Sequence, residues 1–364
     1  MHSFPKNLLI IIAIFLIVVS ILNFDFNMVQ FEPVQSISIG EINNQNLPEG
    51  YDVTMIRESD LTDKSELVKG LYQNHKYVLI YNEDGTLSIE KALKALGPSG
   101  GSQENNLEWK PIAVGFIKKT DGNPLVHNFY SKAELDIRKH PRQMEQLLSK
   151  DLMDANQSQE NKSAVTTNSV STQSTTPGPW DCSNTYFDPP WGNVTLTRHM
   201  EPQRVNDNTK TVWTIHQYIT TNPGHNVYNY DSSYSSNAYT DSMTFRVSKY
   251  DIYEEITSIG SNYSEKNFPN ASLTYPGLPT IGWSRQQASI TIHNESYLPN
   301  FAQWFQMFAN SARQQSYQSE FGERMTITSG VMRVDYTGAV NWVNLYEPDH
   351  TTSFAPSDFV PDYL

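Results

Sequence analysis

Residues 211–221 read TVWTIHQYITT. Side chains alternate faces along an extended chain, so Trp213, Ile215 and Ile219 fall on one side and Thr214, His216 and Thr220 on the other. Asn222, Pro223 and Gly224 then close the run with turn-forming residues. A period of two with one apolar face predicts a half-buried strand. The segments MTFRVSKYDIY (243–253), ASITIHN (288–294), RMTITS (324–329), VMRVDY (331–336) and AVNWVNLY (339–346) repeat the pattern, with Gly330 and Gly338 read as turns or bulges. Short strands rich in Tyr, Trp, Thr and Val, separated by polar turns, predict an antiparallel sandwich over 180–364.

One segment in this region departs from the alternation. In NFAQWFQMFANSARQQ (300–315) the residues Phe301, Trp304, Phe305, Phe308 and Ala312 recur at helical spacing after Pro299, which predicts an amphipathic helix packed on a sheet. Only Arg313 is cationic, so it lacks the basic face of a membrane-surface helix.

Residues 50–153 mix the two periods. Asp63 and Glu66 have capping-box spacing ahead of Leu67, Val68, Leu71 and Tyr72, which predicts a helix over 64–74. A strand KYVLIY follows, and Ser88 caps a second helix that Gly97-Pro98 stops. PIAVGFIKK and PLVHNFY flank TDGN, a tight-turn sequence, and predict a hairpin. Pro141 suits the first turn of a further helix with Met144, Leu147, Leu148 and Leu152 on its apolar face. These elements make a small α+β domain.

Between the two regions, 154–179 is rich in Ser, Thr, Asn and Gln and too poor in large apolar residues to offset chain entropy, which predicts a polar linker. Composition changes across it. Six of the seven tryptophans lie at or beyond Trp180, whereas Lys and Arg concentrate in 51–150.

The chain opens with an apolar run over 8–24, broken only by Ser20 and Asn23. Seventeen helical residues reach about 26 Å, close to the roughly 30 Å of a hydrocarbon core. No polar face interrupts the run, so it predicts a transmembrane signal anchor over 1–24. Lys6 precedes it, and the first charges after it are acids: Asp25, Glu32, Glu41, Glu49 and Asp52. Basic flanks stay in the cytoplasm, so the juxtamembrane segment 25–49 and the remainder are expected outside the cell, with the bilayer as a partner through 8–24; a cleaved signal would make the product secreted.

The single cysteine, Cys182, offers no intramolecular disulfide. A net charge of −13 argues against nucleic acid and acidic lipid head groups as partners. Asn-x-Ser/Thr triplets begin at Asn156, Asn161, Asn193, Asn262, Asn270 and Asn294, sites for glycans where exposed.

Catalytic signatures are wanting. GPSGG (97–101) matches G-x-S-x-G but follows a helix instead of a strand, where that motif does not work. His199-Met200-Glu201 has deaminase spacing without the later cysteines. His216, His225 and His293 lack metal-ligand spacing, and no metal or cofactor is expected. Asp251 with Glu254 or Glu255, and Glu347 with Asp349, are the acidic pairs a hydrolase would draw on, though spacing along the chain does not set their separation in space. No catalytic residue is assigned.

YNYDSSYSSNAYTDS (228–242) sits between two expected strands. Tyrosine brings contact area at low entropy cost and serine brings hydrogen bonds, so Tyr228, Tyr230, Tyr234 and Tyr239 are the candidate contacts to an extracellular glycan or protein. The plainest reading of the stretch is an exposed loop or edge, with Ser and Asn supplying local backbone hydrogen bonds; a pore-forming arm is the third reading, weakened because Ser232 and Ser236 interrupt the apolar parity and Tyr239 breaks it. The expectation is therefore a membrane-anchored binding or structural module. The alternatives are an extracytoplasmic hydrolase of polysaccharide or peptide, and a secreted pore-forming β protein.

Overall fold

The computed structural model describes residues 39–41, 51–82, 87–94, 101–120, 122–132, 141–157, 180–204, 211–228, 236–250, 254–261, 271–273, 281–283, 290–327, 332–344 and 347–360. They belong to a unit spanning Ile37–Leu364. The apolar run at 8–24 and most of the polar linker lie outside them. Among the described residues no helix is long and apolar enough to cross a membrane.

The chain order begins β1 (Ile39–Glu41), β2 (Val53–Arg57), helix α1 (Leu61–Gln73), β3 (Tyr77–Tyr81), helix α2 (Ile89–Lys94) and β4 (Gly101–Glu104). The hairpin β5 (Lys110–Lys118) and β6 (Pro124–Ser131) and helix α3 (Pro141–Gln157) follow. Next come β7 (Trp180–Asp188), β8 (Gly192–Arg204), β9 (Thr211–Pro223), β10 (Ala238–Lys249), β11 (Glu254–Ser261), β12 (Ala271–Leu273) and β13 (Ile281–Trp283). The last strands are β14 (Ile290–Asn294), β15 (Phe301–Phe308), β16 (Tyr317–Ile327), β17 (Met332–Asn344), β18 (His350–Phe354) and β19 (Pro356–Val360).

The architecture is mostly β, with two large sheets and few helices. A ten-stranded sheet has the order β1-β2-β3-β5-β6-β7-β8-β9-β16-β11. A seven-stranded sheet has the order β14-β15-β10-β17-β19-β4, with β18 also paired to β17. Trp213, Ile215 and Ile219 of β9 meet Phe245 of β10, Trp304 of β15 and Tyr336 of β17 in the layer between them. This is the sandwich core that the 211–221 alternation implied.

The ten-stranded sheet also runs through the α+β region. Ser131 of β6 pairs in parallel with Phe187 of β7, and Leu125 with Asp181. A parallel pair requires a crossover, and α3 lies in it. Residues on either side of the polar linker are thus neighbours in one sheet. Helices α1 and α2 supply Leu61, Val68, Leu71 and Ala92 to one face of the N-terminal half. Helix α3 covers the other face with Met144 and Leu148, as its sequence face indicated.

Local expectations fare unevenly. The β5–β6 hairpin forms, with Gly122 at φ 89° in its turn. Ser88 caps α2, its Oγ accepting from the Lys91 amide at 3.3 Å. Helix α1 starts at Leu61, before the Asp63–Glu66 box, and its N-cap Asp60 makes no side-chain cap. Gly338 is neither turn nor bulge: it lies inside the 13-residue strand β17, where the ring of Phe354 occupies the space a Cβ would need.

The helix expected over 300–315 is instead the strand β15, followed by a single helical turn at Asn310–Arg313. Ala302, Trp304, Gln306 and Phe308 point inward, whereas Phe301, Gln303 and Phe305 are half-buried and Met307 is exposed. Both faces of this strand carry large apolar groups. That hides the period of two and leaves Trp304 and Phe308, four apart, to mimic a helix.

Candidate functional site

Among the described residues, three sets of side chains carry chemistry. The first lies on the outer face of the ten-stranded sheet, beneath α3. There the Tyr77 hydroxyl donates to Asp151 Oδ2 at 2.7 Å, and the same oxygen meets His127 Nδ1 at 2.8 Å. His127 Nε2 lies 2.8 Å from Thr185 Oγ1, which bonds Thr195 Oγ1 at 2.8 Å. Carboxylate, imidazole and hydroxyl in this order are the components of nucleophilic catalysis. Yet Thr185 is 0% exposed and His127 1% exposed, so the hydroxyl is closed beneath α3 and the relay anchors the helix to the sheet.

Register places Asp181 of β7 opposite His199 of β8, and His199 opposite His216 of β9. Asp181 pairs with both His199 and Lys119. Burial opposes charge on Asp181, but those two partners outweigh it and hold its pKa below the usual carboxylate range. Burial also opposes charge on His199, and Asp181 outweighs it, raising the imidazole pKa. His216 Nε2 contacts Glu320 at 2.8 Å, and Tyr218 Oη lies 3.2 Å from His216 Nδ1. Asp181, His199 and Lys119 form ion pairs along the face, and His216, Glu320 and Tyr218 lie in contact on the same face.

The second set lies between the sheets. Arg198 grips Asp358 through Nε at 2.6 Å and Nη2 at 3.0 Å. Its Nη2 also reaches Asn184 Oδ1 and Cys182 Sγ, each at 3.1 Å. Burial disfavours the guanidinium charge, but the Asp358 carboxylate beside it raises the pKa further still. Burial pushes the Cys182 thiol up to about 12, which leaves it inert as a nucleophile. Glu323 is fully buried and accepts from Gln217; burial raises its pKa well above the ordinary range.

The third surface is the outer face of the seven-stranded sheet. His293 of β14 pairs with Phe305 of β15, and their rings stack with centroids 6.3 Å apart and planes 21° from parallel. Arg246 of β10 stands opposite Gln303, its guanidinium 3.7 Å above the Phe301 ring. Tyr297 is 65% exposed and Met307 52% exposed at the two ends of this row. Sequence reading missed the surface, because taking 300–315 as a helix put Phe305 in a core.

The residues singled out from sequence are dispersed. Tyr228 is 0% exposed and its hydroxyl donates to the Gly192 carbonyl at 3.2 Å, so it is a core residue and not a surface contact. Tyr239 is half-buried beside the His225 ring at 5.1 Å. Tyr230 and Tyr234 lie outside the described residues. Glu254 accepts from the Tyr250 and Arg333 amides, both at 2.8 Å, which gives it a structural task. Asp251 is outside the described residues, and Glu347 and Asp349 are exposed. His216 and His293 occupy the outer faces of different sheets, and no group of three metal-ligating residues occurs among the described residues. Asn193, 3% exposed and bonded to Asn222, is closed to a glycan in the fold, whereas Asn294 is exposed.

No protein-family model and no curated protein matches the chain. Among solved structures it has a likeness to one described as "Pore forming protein", 11% identical, covering 49% of this chain and 90% of that one. The TM-score is 0.28, too low to carry an argument.

Proposed function

We propose that the chain is a membrane-tethered extracytoplasmic binding protein that takes its ligand on the outer face of the seven-stranded sheet. The observation that carries this reading is the row of exposed His293, Met307 and Tyr297 and half-buried Phe305 on this sheet, interleaved with Gln303 and Arg246. Exposed aromatic and Met side chains rimmed by polar groups mark interaction surfaces. The apolar run at 8–24 and the acid-only flank after it supply the tether and the outward orientation.

The test uses full-length protein in lipid nanodiscs, incubated with cell-envelope material from its own cells. Wild type is expected to be retained, and the double variant F305S/M307S to lose at least about tenfold in affinity, equivalent to roughly 1.4 kcal/mol. Equal retention of both, or no retention of wild type, would overturn the reading.

A second reading, a membrane-inserting β protein, is favoured by one feature. Strand β11 ends one sheet and β14 ends the other, and between them β12 and β13 form a separate hairpin with Ala271 opposite Trp283 and Leu273 opposite Ile281. The sequences of the two strands, Ala-Ser-Leu and Ile-Gly-Trp, alternate apolar with small or polar residues, as an inserting hairpin requires. Dye release from vesicles that is lost in L273S/W283S would support it, and intact vesicles would remove it.

A further inference from the structure

We propose that the outer face of the seven-stranded sheet binds an acidic polysaccharide, with Arg246 taking a uronate carboxylate and the Phe305–His293 pair stacking on a pyranose ring. The proposal rests on the binding reading above and names the ligand class for that face.

Shape and charge point the same way. Phe301, Gln303, Phe305 and Met307 stand in line along β15, six residues or ~20 Å from end to end, a track for an extended chain instead of a pocket for a single small molecule. Phe305 and His293 supply two stacked rings with planes 21° from parallel, an aromatic surface against which the apolar face of a sugar can pack. Gln303 Nε2 is held by Glu295 at 2.7 Å, which fixes the amide beside the rings as a hydrogen-bonding group for hydroxyls.

Charge selects the acidic class. Arg198, Arg313 and Arg333 each hold a carboxylate, from Asp358, Asp241 and Asp335 respectively. Arg246 donates through Nε to Ser248 Oγ at 3.2 Å and lies flat on Phe301. Among the described residues no carboxylate pairs with it. A half-buried guanidinium stacked on the Phe301 ring complements a planar carboxylate in bidentate fashion, and at physiological salt, where charges more than about 8 Å apart are screened, this local contact outweighs the long-range repulsion of a chain of net charge −13. Glu295, at the rim, disfavours a second acid close by, so alternating charged and neutral sugars suit the track better than an uninterrupted run of uronates.

Affinity electrophoresis of the full-length chain in nanodiscs tests this at physiological salt, with hyaluronate as the acidic alternating polymer and dextran as the neutral one. Hyaluronate is expected to retard the protein and dextran to leave it unmoved. R246Q and F305A should each weaken retardation at least about tenfold, with R246K intermediate, while thermal melting stays at the wild-type value. Equal retardation by dextran, no retardation by hyaluronate, or undiminished retardation of R246Q would overturn the proposal. Retention on cell-envelope material that persists in any of those cases, and is lost in F305S/M307S, would leave the binding reading standing while removing the acidic ligand.

Discussion

At the scale of single residues, the interior of the sandwich is unusual for the charge it keeps. Arg198 and Asp358 form an ion pair with two close approaches, whereas the fully buried Glu323 is bonded by Gln217 and has no cation against it among the described residues. A carboxyl in that position is held neutral, since its charged form would lose hydration without a cation to replace it. The folded state therefore binds a proton that the unfolded chain releases above its ordinary carboxylate pKa. Stability is expected to fall as pH rises from that range toward the raised folded pKa, by up to about 1.4 kcal/mol per pH unit. Urea melts from pH 4.5 to 8 should show this slope, and E323Q should flatten it and stabilise the protein at neutral pH. A slope unchanged in E323Q would mean that the carboxyl is charged in the fold. None of this was legible in the sequence, because Glu323 and Gln217 become partners only through the β9–β16 register. The tyrosine stretch shows the same limit from the other side: Tyr228 has the composition of a contact loop but lies in the core, where its hydroxyl reaches Gly192.

At the scale of elements, legibility depended on whether one face of the segment was clean. Strand β9 sets Trp213, Ile215 and Ile219 inward against Thr214, His216 and Thr220, with Gln217 the polar exception on the inner face, and was readable; α3, with its single apolar stripe, was too. Strand β15 was not, because Phe301 and Phe305 face out while Trp304 and Phe308 face in. The distinction is testable at two adjacent pairs. Trp304→Ala removes a 1% exposed indole from the core and should cost about 3–5 kcal/mol, while Phe305→Ala, on the outer face, should cost well under half of that. Ala302→Lys, which forces charge into the core, should be far worse than Gln303→Lys. A helix would bury Trp304 and Phe305 together, so equal losses on replacing them would contradict the strand. The same helix reading concealed the aromatic row, since a strand's outward residues appear only once its period is known.

At the scale of the whole molecule, the ten-stranded sheet passes through both regions that composition had set apart. The composition change remains real: helices shield both faces of the N-terminal half, while the C-terminal half is covered on its inner face by a second sheet. Parallel pairing of β6 with β7 joins them, and such a long-range pairing leaves no local signature in either strand. The outcome is a molecule whose two outer faces differ. One carries ion pairs and a hydroxyl relay sealed by α3, and the other presents rings and a methionine to solvent, where the proposed ligand would lie.

The methionines report that asymmetry directly, because the rate of sulfoxide formation follows exposure of the thioether. Met307 is 52% exposed on the seven-stranded sheet, whereas Met200, Met243 and Met325 are 0% exposed between the sheets. Timed peroxide oxidation of the native full-length chain, read by peptide mass spectrometry, should modify Met307 at least about tenfold faster than those three. Comparable rates at Met307 and Met243, or protection of Met307 in the free protein, would contradict an open aromatic face and the binding role proposed for it.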